Sequence, residues 1–156
     1  MLRVEIPGFV MLELHHLVLD YNGTIAMDGI FKKELIPYLG ALSGDLAIHV
    51  LTADTFGTVR EELLGVPVEV KVLESSEHTK EKAAFVHDLG AQNCIAVGNG
   101  SNDRAMLEVA ALGIAVLGEE GAAIETLQSA DIMVPSIGRA LELLLKPKRL
   151  VATLRR

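Results

Sequence analysis

A single cysteine among 156 residues rules out an internal disulfide, so packing has to hold this chain together. Cys94 lies in the apolar run Cys94-Ile95-Ala96-Val97 and reads as a buried, inert thiol in a reducing, cytoplasmic setting. Tryptophan is absent and aromatics make up 4% of the chain, which leaves Val, Leu, Ile and Ala to build the core. That composition suits buried parallel strands and the helices that cover them. Basic residues are in deficit, 14 against 21 acidic, and the resulting net charge of −7 argues against a general nucleic-acid surface. A small-molecule or protein substrate is the better expectation. No apolar stretch reaches the roughly 18 to 20 residues that span a bilayer, and Glu5 and Pro7 interrupt the start where a signal peptide needs an apolar run. Neither export nor membrane anchoring is expected.

What the chain does have is alternation. Half of it is hydrophobic, and short strand-like apolar runs alternate with amphipathic helical stretches, the pattern of βαβ units on a mostly parallel sheet. The spacing predicts strands near 15–20, 46–51, 68–73, 94–98, 113–117 and 131–134. It predicts helices near 32–42, 56–64, 79–89, 103–110, 120–128 and 137–145, with Gly44, Gly65 and Gly90 as C-terminal punctuation. Leu2 to Ile6, the Pro7-Gly8 turn and Val10 to Leu14 read as an antiparallel hairpin added to the sheet edge. No linker, repeat or low-complexity tract divides the chain, so one α/β domain over 1–156 is expected. Ligands of open α/β sheets bind beyond the strand carboxyl ends.

Three strand ends carry suggestive residues. In His16-Leu-Val-Leu-Asp20-Tyr-Asn22-Gly23-Thr24 an apolar strand stops at an acid before a glycine turn. That carboxylate can bind a cation or attack phosphorus, with turn N–H groups facing phosphate oxygens; it can equally cap the turn. Val50-Leu51-Thr52-Ala53-Asp54 ends in a hydroxyl that serves either a phosphoryl oxygen or a helix N-terminus. Ile95-Ala-Val-Gly98-Asn99-Gly100-Ser101-Asn102-Asp103 breaks into a glycine-rich loop, where Asp103 either joins a cation site or caps its helix.

The order of these motifs, with a Lys near a helix start between the second and third, resembles the haloacid dehalogenase superfamily. Within it the likeness is to the phosphorylation domain of P-type ATPases, and most of all to its soluble, stand-alone relatives. The resemblance runs from His15 to Leu145 and takes in Leu112-Gly-Ile-Ala-Val116 and Ser129-Ala-Asp-Ile-Met-Val134 as the last two strands. It implies a Rossmann-like three-layer αβα sandwich. It also implies that Asp20 is the nucleophile that forms an aspartyl-phosphate, that Thr52 holds a phosphoryl oxygen and that a lysine neutralises charge. Lys82, in Lys82-x-x-Phe85-Val86-x-x-Leu89, fits that lysine, with Lys80 as the alternative. Asn22, Gly23, Ala53 and Gly100 are the expected contacts to the phosphate. Mg²⁺ is the implied cofactor, held by Asp20, the Asn22 carbonyl, the Asn99 side chain and waters on Asp103.

Two residues depart from the family pattern. Asn22 stands where most of its phosphatases carry a second Asp, and an amide cannot lend or take a proton. Asn99 stands where a Mg²⁺-binding carboxylate is usual, which removes one negative charge. One helix is expected to fill the short span from Thr24 to Thr52, so neither a cap domain nor the nucleotide-binding domain of a pump is expected there. An open site is expected, covered by a second copy in a homo-oligomer or left open to a macromolecule, with a phosphorylated small molecule or a phosphoprotein as substrate. Two functions follow: a slow Mg²⁺-dependent phosphatase or phosphotransferase, or a phosphate-sensing or interaction module without turnover. His15 and His16 point to opposite faces of a strand and do not readily share a ligand. The basic end, Lys146 to Arg156, reads as a terminal helix with Leu150 and Leu154 turned inward.

Overall fold

The structure is a computed structural model and describes residues 1–54 and 57–156. In chain order it contains β1 (Leu2–Ile6), β2 (Val10–Leu14), β3 (His16–Asp20), the short pair β4 (Ala26–Met27) and β5 (Ile30–Phe31), α1 (Ile36–Leu42), β6 (Ala47–Thr52), α2 (Thr58–Glu62), β7 (Glu69–Val72) and α3 (His78–Leu89). Then follow β8 (Cys94–Gly98), α4 (Arg104–Val109), β9 (Leu112–Val116), α5 (Ile124–Ser129), β10 (Ile132–Val134), α6 (Ile137–Leu145) and α7 (Pro147–Leu154). Residue 56, the start expected for the second helix, lies outside the described residues.

Six strands form a parallel sheet in the order β10-β9-β8-β3-β6-β7. Side chains alternate between its two faces, and both faces are buried. Leu17, Leu19, Ile48, Val50, Ile95 and Val97 join the core beneath α1 and α6, whereas Val18, Leu51, Cys94 and Ala96 pack with Val86 of α3 and Met106 and Leu107 of α4. The architecture is the expected three-layer α/β sandwich. From β3 the chain winds outward to β6 and β7, then returns to β8 on the other side and winds away. That reversal opens a crevice beyond the carboxyl ends of β3 and β8.

The N-terminal hairpin is present, with Leu2 opposite Leu14, but it is a separate two-stranded ribbon and not part of the sheet edge. β2 runs directly into β3, which lies in the middle of the sheet with both neighbours taken, so an edge position is out of reach. The ribbon instead buries Val4, Ile6, Leu12 and Leu14 in the core that also holds Leu150 of α7. The chain end closes on it: Arg156 N–H donates to the Pro7 carbonyl at 2.9 Å, and its guanidinium lies 5.0 Å from the Phe9 ring centre. Of the two leucines expected to face inward there, Leu150 is fully buried and Leu154 partly so. The span from Thr24 to Thr52 holds more than one helix, since β4 and β5 form a small antiparallel flap before α1.

At the start of β3, away from the crevice, His16 Nδ1 lies 3.1 Å from His49 Nε2, and Phe85 of α3 meets the His49 ring edge-on. Burial holds both imidazoles below their ordinary pKa, against the opposing charge of Glu69. A base with a lowered folded pKa binds fewer protons folded than unfolded, so its contribution to stability is intact above about 6.5 and is lost as pH falls below it. Thermal melts of His49→Phe beside wild type, from pH 7.5 to 5, should show the variant gaining relative stability as pH drops. A difference in melting temperature that stays constant over that range would refute this.

Candidate active site

Asp20 ends β3, and the chain turns at once because the Tyr21 carbonyl accepts hydrogen bonds from the N–H groups of Thr24, Ile25 and Ala26. The Asp20 carboxylate has two kinds of partner. Oδ1 accepts from Lys82 Nζ at 2.7 Å, and Oδ2 lies 3.4 Å from the Thr24 hydroxyl. The same hydroxyl is 3.4 Å from Asn99 Oδ1. Asn99 Nδ2 donates to the Gly121 carbonyl at 3.1 Å, which fixes the amide with its oxygen toward Asp20.

Lys82 reaches this cluster from the first turns of α3, where Val86 of the same face is buried against the sheet. Its Nζ also donates to Asp103 Oδ1 at 2.7 Å, so one ammonium is shared between two buried carboxylates. The two candidate lysines part clearly: the Lys82 side chain is 2% exposed, and that of Lys80 is 77% exposed and pairs with Glu77. Asp103 stands at the N-terminus of α4 but gives it no side-chain cap. Its Oδ2 accepts from the N–H groups of Asn99 and Gly100, both at 3.0 Å, which shapes the loop after β8, while Oδ1 positions Lys82. Both of its oxygens are thereby engaged, and it is fully buried.

Thr52 ends β6 beside Asp20. Its Oγ1 accepts from Asp54 N–H at 3.2 Å, leaving the hydroxyl proton to donate. The start of α2 is served by another residue, as Asp54 Oδ2 accepts from Val59 N–H at 3.0 Å. Asp20, Asn22, Thr52, Ala53, Lys82, Asn99 and Gly100 line one cavity of about 190 Å³, together with Leu73, Asn102 and Glu120. Gly23 and Gly100 use their N–H groups internally, toward the Ala26 carbonyl and Asp103. What Gly23 provides is space: a Cβ there would sit 2.5 Å from Glu120 Oε2 and 2.8 Å from Asn99 Nδ2.

Burial, and next to it the charge of Asp103, pushes the Asp20 carboxyl up to about 7, with Lys82 pulling the other way. Burial alone would lower the Lys82 pKa, but the two carboxylates beside it raise it, so the ammonium stays charged. Among the described residues no three His, Cys, Asp or Glu side chains cluster as a metal site. Of the residues singled out from sequence, those with oxygens facing a cation in this cavity are Asp20 through Oδ2, Asn99 through Oδ1, and Asn22. Such a set fits Mg²⁺, which typically binds one or two carboxylates and keeps waters or substrate phosphate oxygens for its other positions.

No protein-family model matches the chain. An uncharacterized protein of Methanocaldococcus jannaschii is 54% identical over 61 residues, which are 39% of this chain and 66% of that protein. The 3-deoxy-D-manno-octulosonate 8-phosphate phosphatase of Moraxella catarrhalis, solved with magnesium, phosphate and the sugar, superposes with a TM-score of 0.72 at 16% identity, covering 92% of this chain and 94% of that one. The catalytic domain of the CPx-ATPase CopB is 25% identical with a TM-score of 0.60, over 73% of this chain and 45% of that one. Both branches of the likeness meet in a single architecture, and the chain has the fold of the haloacid dehalogenase superfamily.

Proposed function

We propose that this protein is a divalent-cation-dependent phosphatase or phosphotransferase that works through a phosphoryl group on Asp20. The observation that supports it is the pairing of Asp20 and Lys82 at a crevice also lined by Thr52. Burying a carboxylate and an ammonium is costly unless each balances the other, and this pair lies at a crevice open to a ligand rather than inside the closed core. A phosphoryl group arriving next to Asp20 brings its own negative charge, which Lys82 offsets while the Thr52 hydroxyl donates to one of its oxygens.

The reaction then divides into two displacements. A carboxylate oxygen of Asp20 attacks phosphorus and the ester oxygen departs with a proton from solvent, because Asn22 has none to give. Water next attacks the aspartyl-phosphate and restores the carboxylate. Asp20, Asn99 and Asn22 would hold Mg²⁺, whose chemistry is to neutralise phosphoryl charge and let two anions approach. The cavity is below the roughly 300–1,000 Å³ of pockets that enclose whole ligands. It holds a phosphoryl group and leaves the rest of the substrate outside, a geometry for phosphorylated metabolites or a phosphoprotein alike.

Asn22 and Asn99 favour a second reading, a phosphate-sensing module without turnover. Incubation with acetyl phosphate and Mg²⁺ separates the two. The expected result is a base-labile mass increase of one phosphoryl group in wild type and none in Asp20→Asn. Labelling that persists in the variant places the nucleophile elsewhere, and no labelling of wild type leaves the sensing module.

A further inference from the structure

Asn99 removes a negative charge from the cation site, yet an unpaired carboxylate stands next to it. Glu120 lines the same cavity as Asp20 and Asn99. Its Oε2 and both polar atoms of the Asn99 side chain lie within 3 Å of one point, the place a Cβ would take on Gly23. Among the described residues no Lys, Arg or His pairs with Glu120, whereas its neighbour Glu119 is held by Lys32 at 2.8 Å.

The loop that carries Glu120 is fixed on both sides. Gly118 and Gly121 bracket it with positive φ of 55° and 74°, conformations that turn the chain within three residues. Leu117 and Gly118 donate to the carbonyls of Val134 and Pro135. Beyond the turn, the Gly121 carbonyl accepts from Asn99 Nδ2 and Ala123 N–H donates to the Asn99 carbonyl at 2.9 Å. The Glu120 backbone is thus fastened to the residue whose side chain lacks the charge.

Resting on the phosphoryl-transfer reading above, we propose that Glu120 supplies the missing carboxylate and is a cation ligand, directly or through one water. Charge supports the assignment. Asp20 and Asp103 against Lys82 leave one net negative charge at the site, and Glu120 makes it two, which balances a divalent cation. Hard cations take their affinity from carboxylate charge. Neither the asparagine at 99 nor the chain position of Glu120, two loops away from Asp20, reveals this from sequence.

The test is Mn²⁺ binding to the full chain without phosphodonor, followed by titration calorimetry. Glu120→Gln should weaken binding about tenfold. Asn99→Asp added to Glu120→Gln should recover it, because the charge returns to the same ion, and Glu119→Gln should leave it unchanged. Wild-type affinity in Glu120→Gln, equal weakening in Glu119→Gln, or no measurable Mn²⁺ binding by wild type overturns the proposal. Asp20→Ala separates the two levels: if it loses Mn²⁺ while Glu120→Gln keeps it, the Glu120 assignment alone fails. If neither variant changes binding, the cation site proposed at Asp20 fails with it.

Discussion

Lys82→Met is expected to destabilise the protein by about 3–5 kcal/mol at pH 8 without divalent cations, the usual cost of removing one partner from a buried ion pair. The side chain is nearly sealed from water and balances Asp20 and Asp103 together. Methionine fills similar volume but leaves two buried carboxylates facing each other. The loss depends on pH in a definite direction. Asp20 already titrates at about 7, because burial and Asp103 outweigh the 2.7 Å contact with Lys82. An acid whose folded pKa is raised costs nothing when protonated in both states, and its cost accrues as pH rises from about 4 toward the folded value. Without the ammonium that value climbs further, so the penalty should be greatest at pH 8 and shrink toward pH 5. Adding Asp20→Asn should return part of the stability. Urea melts at the two pH values measure all of this, and a variant as stable as wild type at pH 8 would show that Lys82 balances no buried charge.

The strands were legible because the sheet is buried on both faces, so each central strand is a short unbroken apolar run that ends at turn residues. Asp20, Thr52, Lys82 and Asn99 converge because each stands at a strand end or a helix start of a doubly wound sheet, where topology collects such residues. Lys82 is told from Lys80 in the sequence because Phe85 and Val86 mark the inward face of α3, and Val86 is fully buried. Placement of the N-terminal hairpin was not legible. Its alternation shows a ribbon, but only the strand order shows that β3 is central and that no edge is near. The flap β4–β5 is two residues a side, too short to register a period. Glu120 escaped for a different reason. Pairs of glutamates on a loop ordinarily read as solvated charge, and only the fold brings this one against Asn99 across the Gly23 backbone.

Asn22→Asp is expected to shorten the lifetime of the phosphoenzyme on the order of 10²-fold, the usual scale of general acid–base help. Asn22 follows the nucleophile by two residues and lines the cavity with it, so a carboxylate there stands beside the oxygen of an attacking water. On the proposed mechanism the wild-type water gives its proton to solvent, since an amide accepts none and Lys82 is already protonated and shared between two carboxylates. The phosphoenzyme should therefore accumulate in wild type. Asn99→Asp acts on another quantity: it adds charge without a proton carrier, and should lower the Mg²⁺ concentration needed for labelling while leaving the decay rate at saturation nearly unchanged. Both are read from one experiment, in which protein labelled by acetyl phosphate is freed of donor and its mass followed over time at several Mg²⁺ concentrations. Should Asn22→Asp decay no faster than wild type, proton transfer at that position does not limit turnover. The slow step then lies in how the open crevice admits and holds water.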